Sequence, residues 1–212
     1  MRIGSGSNIP AVTKNLLIIN FIIWIAQAVL PRIGIDVTGT LGMHYIGSRL
    51  FGVWQLGTYM FLHAGGFGHI FSNMFALFMF GPVLERLWGS RRFLLYYLAT
   101  GIGAGLVQQV TWYLTMTPEL AYYQDYMLTI GASGAIFGIL LAFGMMFPTA
   151  PIFLFLIPIP IQAKWFVILY GLFELFAGIA HTGGDNVAHF AHLGGMLFGF
   201  VLIQWWRKRV QR

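Results

Sequence analysis

A serine and two histidines stand at the beginnings of two apolar segments. Ser133 lies in the sequence Gly-Ala-Ser-Gly at 131–134, and His189 and His192 begin a later segment without charged residues. A serine hydroxyl is a weak nucleophile until a neighbouring base accepts its proton, and an imidazole can do this near neutral pH. An ionisable side chain in an apolar segment is costly and is often kept for a task. Ser133 and His192 are therefore a candidate nucleophile and base.

His69 and Asn73 form a second polar pair, near the start of another apolar segment. Residues four apart share one face of a helix, so the two side chains can point together. Acyl transfer needs hydrogen-bond donors aimed at the developing oxyanion, and both side chains carry such donors. An asparagine in a membrane span more often bonds a neighbouring helix. The catalytic interpretation of Asn73 therefore depends on Ser133 and His192.

The composition is that of a membrane protein. Of 212 residues, 58% are hydrophobic and 8% charged, whereas soluble domains have roughly 25% charged residues. A helix needs about 20 apolar residues to span a bilayer. We expect an all-α polytopic membrane protein with one domain over 1–212. Its six predicted spans lie near 15–31, 67–84, 93–114, 127–147, 165–180 and 187–206.

The basic residues predict the orientation of the chain. An inside N-terminus puts ten of them inside, namely Arg2, Lys14, Arg86, Arg91, Arg92, Lys164, Arg207, Lys208, Arg209 and Arg212. Arg32 and Arg49 are then outside. This satisfies the positive-inside bias, so both termini are expected in the cytoplasm, at a bacterial inner membrane. Lys14, the apolar run and Ala26-Gln27-Ala28 also imitate a cleaved signal peptide.

This orientation brings the starts of the second, fourth and sixth spans to the outer face. Small residues then allow two of these spans to approach closely. Gly134 and Gly138 lie four apart, as do Gly195 and Gly199, and such pairs often mark helix contacts in membranes. They predict that the fourth and sixth spans pack together, so that Ser133 can meet His192.

The connections between spans carry weaker signals. Residues 33–67 mix aromatic residues with glycine, which suggests a ledge in the membrane interface. Four prolines between 148 and 160 predict a non-helical inner loop. The glycine-containing loop at 181–186 could move, and Glu85-Arg86 is expected at lipid head groups.

In these motifs the chain resembles the rhomboid family of intramembrane serine proteases. The resemblance rests on the 131–134 sequence, on the His69 and Asn73 pair, and on Ala-His-Leu-Gly-Gly at 191–195 followed by Gly199. It covers nearly all of the chain and implies the six-span core fold. It also implies that Ser133 is the nucleophile and His192 the base. The implied oxyanion donors are His69, Asn73 and the Ser133 backbone N–H, with Gly131 shaping the loop beneath them.

Two positions depart from the family pattern. Phe137 stands where several relatives carry a tyrosine against the catalytic histidine, and a phenylalanine ring can still stack there. Gln55 follows Trp54 where many relatives have arginine, which puts an arginine-based loop contact in doubt. We expect activity despite both changes.

The sequence offers no acid with a clear claim to orient His192. Asp185 lies in a loop, and Glu174 lies in the middle of a span, where it could serve packing or an ion path. A Ser133–His192 dyad is therefore expected. His189 could contact a catalytic side chain, serve as a spare ligand or only pack, and we favour packing.

The resemblance implies cleavage of membrane-protein substrates within or beside a transmembrane segment, near the outer face of the lipid bilayer. We expect no cofactor and no metal. We also expect no nucleic acid, since the basic residues lie at span ends. One alternative is a catalytically silent relative that binds membrane clients. Another is a metal-dependent transporter or hydrolase using His63, His69, His189 and His192 with Glu174 or Asp185.

Overall fold

The computed structural model describes residues 8–154, 157–180 and 188–210. Six long α-helices lie in this part of the chain, and three short α-helices and three short 3-10 helices lie in their connections. In chain order the helices are α1 (Ala11–Val29), α2 (Val37–Leu41), α3 (Gln55–Thr58), α4 (Phe67–Trp88), α5 (Ser90–Thr115), α6 (Pro118–Tyr122), α7 (Ser133–Met146), α8 (Ala163–Ala180) and α9 (His189–Val210).

The protein is an all-α, polytopic membrane protein. Among the described residues, four helices are long and apolar enough to cross a membrane by length and composition: α1 with the turn that follows it, α4, α5 and α8. The central helix α7 is apolar but has only 14 residues. It begins at Ser133, later than the predicted start at 127, because Leu128–Thr129 is extended. Large apolar side chains such as Ile22 and Phe176 point outward, which suits lipid rather than water.

Helix α7 is the centre of the bundle and packs against α4, α5, α8 and α9. Its inward side chains are small or branched, and Ala135, Ile139 and Ala142 are fully buried. At one end α7 contacts α9 backbone to backbone, since a β-carbon on Gly195 would overlap the carbonyl of Gly134. The small-residue face thus brings the two helices together at the end that carries Ser133.

The second glycine of each predicted pair has another partner. A β-carbon on Gly138 would crowd Thr100 of α5, and one on Gly199 would crowd the ring of Tyr96, also of α5. Tyr96 donates a hydrogen bond from its hydroxyl to the Gly138 carbonyl, at 2.8 Å. The expectation that both pairs join α7 to α9 is therefore wrong at these positions. Gly138 of α7 and Gly199 of α9 instead leave space for side chains of α5.

At the other end of the bundle, Glu85 ties α1 to α4 and α5. It is 2% exposed, which corrects the expectation that it contacts lipid head groups. Its carboxylate accepts hydrogen bonds from the amides of Val12 and Thr13, from the Thr13 hydroxyl and from the Ser90 hydroxyl. Helix α1 starts after Pro10, whose side chain cannot cap it. A carboxylate from α4 therefore satisfies its first amides.

The connection before α4 packs on the bundle on one side and is exposed on the other. Strand β1 (Met43–His44) pairs antiparallel with β2 (Leu128–Thr129), which leads into α7. Met43 and Met60 are fully buried, whereas Trp54 is 56% exposed. Only the exposed outer side of this connection therefore fits the predicted interfacial ledge. Arg49 lies 2.7 Å from Asp125, and this hydrogen bond holds the pKa of the Asp125 carboxyl below its usual range.

The proline-rich segment after α7 is non-helical, as predicted. It forms a hairpin in which β3 (Pro151–Leu154) pairs antiparallel with β4 (Ile157–Gln162). Proline cannot donate to a ladder, and a two-stranded hairpin leaves each strand with a free edge that tolerates it. The loop at 181–186, with Asp185, lies outside the described residues.

Candidate active site

Ser133 is the first residue of α7, and the turn before it is built on glycine. Gly131 has a φ of 135°, a conformation that L side chains rarely adopt, and its amide donates to the Tyr59 carbonyl at 3.0 Å. Ala132 is the N-cap. The amide of Ser133 is among the first of the helix, which have no intrahelical acceptor. The residue therefore offers its hydroxyl and a backbone donor at the positive end of a helix dipole.

His192 reaches Ser133 from the first turn of α9. Its Nε2 lies 2.8 Å from the Ser133 Oγ. The close backbone contact of α9 with α7 makes this distance possible. The ring of Phe137, one turn after Ser133, stacks on His192 with centroids 4.2 Å apart and planes 9° apart. A phenylalanine at this position thus holds the imidazole by its face.

A carboxylate occupies the other side of His192. Glu174 of α8 places Oε2 at 2.8 Å from Nδ1 of His192 and at 2.7 Å from Nδ1 of His189. Glu174 is 2% exposed. This corrects the expectation that no acid reaches His192. It also gives His189 a polar contact where packing was favoured.

His69 and Asn73 lie at the start of α4, and His69 faces the Ser133 turn. A β-carbon on Gly131 would lie 3.1 Å from the His69 Nε2. The amide of Ala64 donates to Nδ1 of His69 at 3.0 Å, so Nδ1 is the acceptor and Nε2 carries the hydrogen. Asn73 donates one amide hydrogen to the His69 carbonyl at 2.8 Å and keeps a second. Both side chains thus have donors available for an oxyanion.

His63 belongs to the surroundings of this site rather than to its centre. It is 1% exposed, and its ring lies 5.1 Å from that of His69. Burial lowers the pKa of His63 to about 4, so the ring is neutral at pH 7. Among the described residues, the group whose donor atoms lie within 4.8 Å of one another is Glu174, His189 and His192. His63 and His69 are not in that group, and Asp185 lies outside the described residues.

Sequence reasoning missed Glu174 as a neighbour of His192, and Gln55 as an organiser of the outer connection. Gln55 is 1% exposed; its amide donates to the Leu50 carbonyl and its oxygen accepts from the His44 amide. A glutamine thus satisfies loop backbone at the position where the sequence departs from the family pattern. For Glu174 a signal did exist, because it is the acidic residue inside the fifth predicted span.

Comparison with known proteins adds a family to this geometry. A model of the Rhomboid domain matches residues 50–209. Rhomboid protein 1, mitochondrial, of Saccharomyces cerevisiae is 37% identical over 140 residues, which is 66% of this chain and 38% of that protein. YdcA of Bacillus subtilis is 32% identical over 155 residues, covering 70% and 65%. Rhomboid protease GluP of the same organism is 34% identical over 147 residues, covering 69% and 25%. The matched segment thus spans less than two thirds of the length of these relatives.

Proposed function

The chain belongs to the rhomboid family, and on this premise we propose that it is an intramembrane serine endopeptidase that acts through Ser133 and His192. The observation that carries the proposal is the 2.8 Å contact between the Ser133 Oγ and the His192 Nε2. Proteins named rhomboid proteases are among its relatives. A serine hydroxyl in hydrogen-bond contact with an imidazole is the arrangement that nucleophilic acyl transfer requires.

In the proposed reaction, His192 takes the proton from Ser133 as Oγ attacks the carbonyl carbon of a substrate peptide bond. The resulting oxyanion is met by the Ser133 amide, by the Nε2–H of His69 and by the free amide hydrogen of Asn73. His192 then gives the proton to the leaving amine, and the peptide bond breaks. A water molecule, activated by His192, hydrolyses the acyl-enzyme and restores the Ser133 hydroxyl.

We propose that water reaches this site from the side of residues 64–68. Ser133 and His69 are only partly buried, and the neighbouring residues 64–68 are exposed. The site lies where α4, α7 and α9 begin, which supports a position nearer to one membrane surface than to the bilayer centre. This placement supports a site near the outer face if the basic residues orient the chain as expected.

The substrates that suit this placement are other membrane proteins. A peptide bond inside a helix is shielded by its own backbone hydrogen bonds, so the cleaved segment must be extended when it reaches Ser133. We propose that this segment lies in or beside a transmembrane span, close to the outer surface. The resemblance to the family further implies small side chains near the cut.

The test is a serine-directed fluorophosphonate probe together with cleavage of a model single-span substrate in proteoliposomes. Wild type is expected to be labelled and to cleave. Ser133→Ala and His192→Ala are expected to lose cleavage, and Ser133→Ala to lose labelling, with unchanged circular dichroism. A wild type that neither reacts nor cleaves supports the client-binding alternative. Activity that survives Ser133→Ala but is lost with a chelator supports the metal-dependent one.

A further inference from the structure

Glu174 stands on the side of His192 that is turned away from Ser133. The imidazole connects the two, with Nε2 at 2.8 Å from the Ser133 Oγ and Nδ1 at 2.8 Å from the Glu174 Oε2. The carboxylate is 2% exposed. A buried carboxylate is costly unless hydrogen bonds compensate it, and here two imidazole rings contact the same oxygen. A buried carboxylate beside His192 therefore suggests a function in the site.

The two contacts of His192 constrain the position of its proton. An ionised carboxylate only accepts hydrogen bonds, so Nδ1 must carry the hydrogen that Glu174 receives. Nε2 then has a free lone pair and can accept the Ser133 hydroxyl proton. A protonated Glu174 could instead donate to Nδ1, which would move the ring hydrogen to Nε2 and leave no base for Ser133. The catalytic direction therefore requires the carboxylate form.

His189 supports the same oxygen from a second direction. Its Nδ1 lies 2.7 Å from the Glu174 Oε2, one turn of α9 before His192. An N–H from His189 fills the second lone pair of that oxygen, which fixes the carboxylate relative to α9. The ring of His189 lies nearly perpendicular to that of His192, at 85°, with centroids 6.4 Å apart. One carboxylate thus aligns two histidines on one helix face.

A metal ion is a competing use of the same three side chains. Zinc binds imidazole nitrogen and carboxylate oxygen at about 2.0–2.2 Å, which keeps neighbouring ligand atoms about 3.3 Å apart in a tetrahedral site. The nitrogen to oxygen distances of 2.7 and 2.8 Å are shorter than this separation and match charge-assisted hydrogen bonds. The geometry therefore favours shared protons over a shared ion.

We infer that Glu174 is a positioning residue that makes the Ser133–His192 pair a three-membered chain. Its carboxylate holds His192 in the Nδ1–H tautomer, fixes the ring against Phe137, and stabilises the imidazolium that forms when Ser133 gives up its proton. This inference rests on the proposed protease function and adds to it an acid that the sequence did not predict.

The experiment compares Glu174→Gln with Glu174→Asp, because the two changes separate charge from volume. Gln keeps the size but not the charge, and Asp keeps the charge but is shorter. We expect Glu174→Gln to lower kcat on a single-span substrate by about 10²-fold to 10⁴-fold with little change in KM. The upper figure is that of the corresponding Asp→Asn change in a soluble protease triad. Glu174→Asp should keep at least about tenfold more activity than Glu174→Gln.

Glu119→Gln is the matched control, since it makes the same change at an exposed carboxylate of the short helix α6. It should retain the wild-type kcat. A space-filling role for Glu174 predicts the reverse order, with Glu174→Gln more active than Glu174→Asp, and that result would overturn the inference. A wild type that is inert towards the fluorophosphonate probe would instead remove the proposed function itself.

Nitrogen NMR of the wild type tests the inference without any change at 174. The chain has six histidines, so the signals of His192 can be assigned by their loss in His192→Ala. We expect a protonated Nδ1 and an unprotonated Nε2 for His192 at neutral pH. A ring hydrogen on Nε2 would show that Glu174 does not set the tautomer, even if both Glu174 variants fail to fold.

Discussion

His69 and His192 in the candidate site carry the ring hydrogen on different nitrogens. In each ring, the hydrogen-bond partner of Nδ1 determines which nitrogen carries it. The backbone amide of Ala64 donates to Nδ1 of His69, which leaves its Nε2–H as a donor. Glu174 accepts at Nδ1 of His192, which leaves its Nε2 as an acceptor. One residue type thus supplies an oxyanion donor and a general base in the proposed reaction. One role is set by a backbone amide close in sequence and the other by a carboxylate on a different helix.

Asn73→Ala tests the oxyanion role at the residue scale. We expect kcat on a single-span substrate to fall by about 10²-fold to 10³-fold, since this is the usual effect of removing one oxyanion donor. KM should change little, because the donor acts on charge that develops in the transition state. Initial rates in proteoliposomes measure both constants.

Ser72→Ala is the control for Asn73→Ala. Ser72 is exposed, lies next to Asn73 on α4, and also donates to the His69 carbonyl, at 3.1 Å. Its loss should leave kcat within about twofold of wild type. If both variants lose activity equally, Asn73 acts by holding the start of α4 and not by binding an oxyanion.

Ser133, His192 and His69 lie together in the structure and Asn73 follows His69 by one helical turn, whereas Glu174 could not be placed from sequence. Ser133, His192, His69 and Asn73 each stand at the start of an apolar segment, so alternation of spans brings them to one face. Glu174 lies within its segment. Its reach to His192 depends on the rotation of α8, which is set by packing such as Gly178 against Phe190. That rotation is a tertiary property.

At the scale of helices, the glycine pairs predicted close helix contacts but not which helix makes each contact. Gly134 and Gly195 meet as the spacing suggests, while Gly138 and Gly199 receive Thr100 and Tyr96 of α5. A small-residue face indicates only that something approaches closely. Which helix approaches depends on the order of helices around α7. For the same reason, the sequence predicted where the helices lie along the chain better than which helices contact each other.

Glu85→Ala tests how one carboxylate joins three helices. The change leaves the first amides of α1 without their acceptor and breaks the contact with Ser90 of α5. Hydrogen bonds to charged groups contribute about 1.5–3 kcal/mol each and are not additive here, so we expect a loss of about 3 kcal/mol of unfolding free energy. Unfolding in mixed micelles of dodecyl sulfate and a mild detergent, followed by circular dichroism, measures it.

Glu119→Ala is the comparison for Glu85→Ala. Glu119 is an exposed acid in the short helix α6, so its removal should change the unfolding free energy by less than about 0.5 kcal/mol. Equal effects of the two changes would mean that Glu85 acts only through net charge. A loss confined to Glu85→Ala supports its role as a cap supplied by a neighbouring helix.

At the scale of the whole molecule, the two ends of the bundle have different tasks. The end with Ser133 carries the partly exposed His69. It also carries the connection before α4, which the pairing of β1 with β2 joins to the segment leading into α7. The opposite end carries Glu85, the proline hairpin and most of the basic residues. The proposed chemistry therefore belongs to one end of the bundle and most of the basic residues belong to the other. The charge asymmetry predicts which surface faces the cytoplasm.

Single cysteines test this orientation cleanly, because the chain contains none of its own. Thr149→Cys lies in the exposed connection after α7, and Tyr126→Cys lies before α7, at a residue that is 82% exposed. Neither change alters a charge, so the ten-to-two distribution of basic residues is kept. In intact bacterial cells, a membrane-impermeant maleimide should label Tyr126→Cys, whereas Thr149→Cys should react only after permeabilisation. The opposite pattern would place Ser133 at the cytoplasmic surface and would move cleavage to that side, because α7 fixes both positions relative to each other.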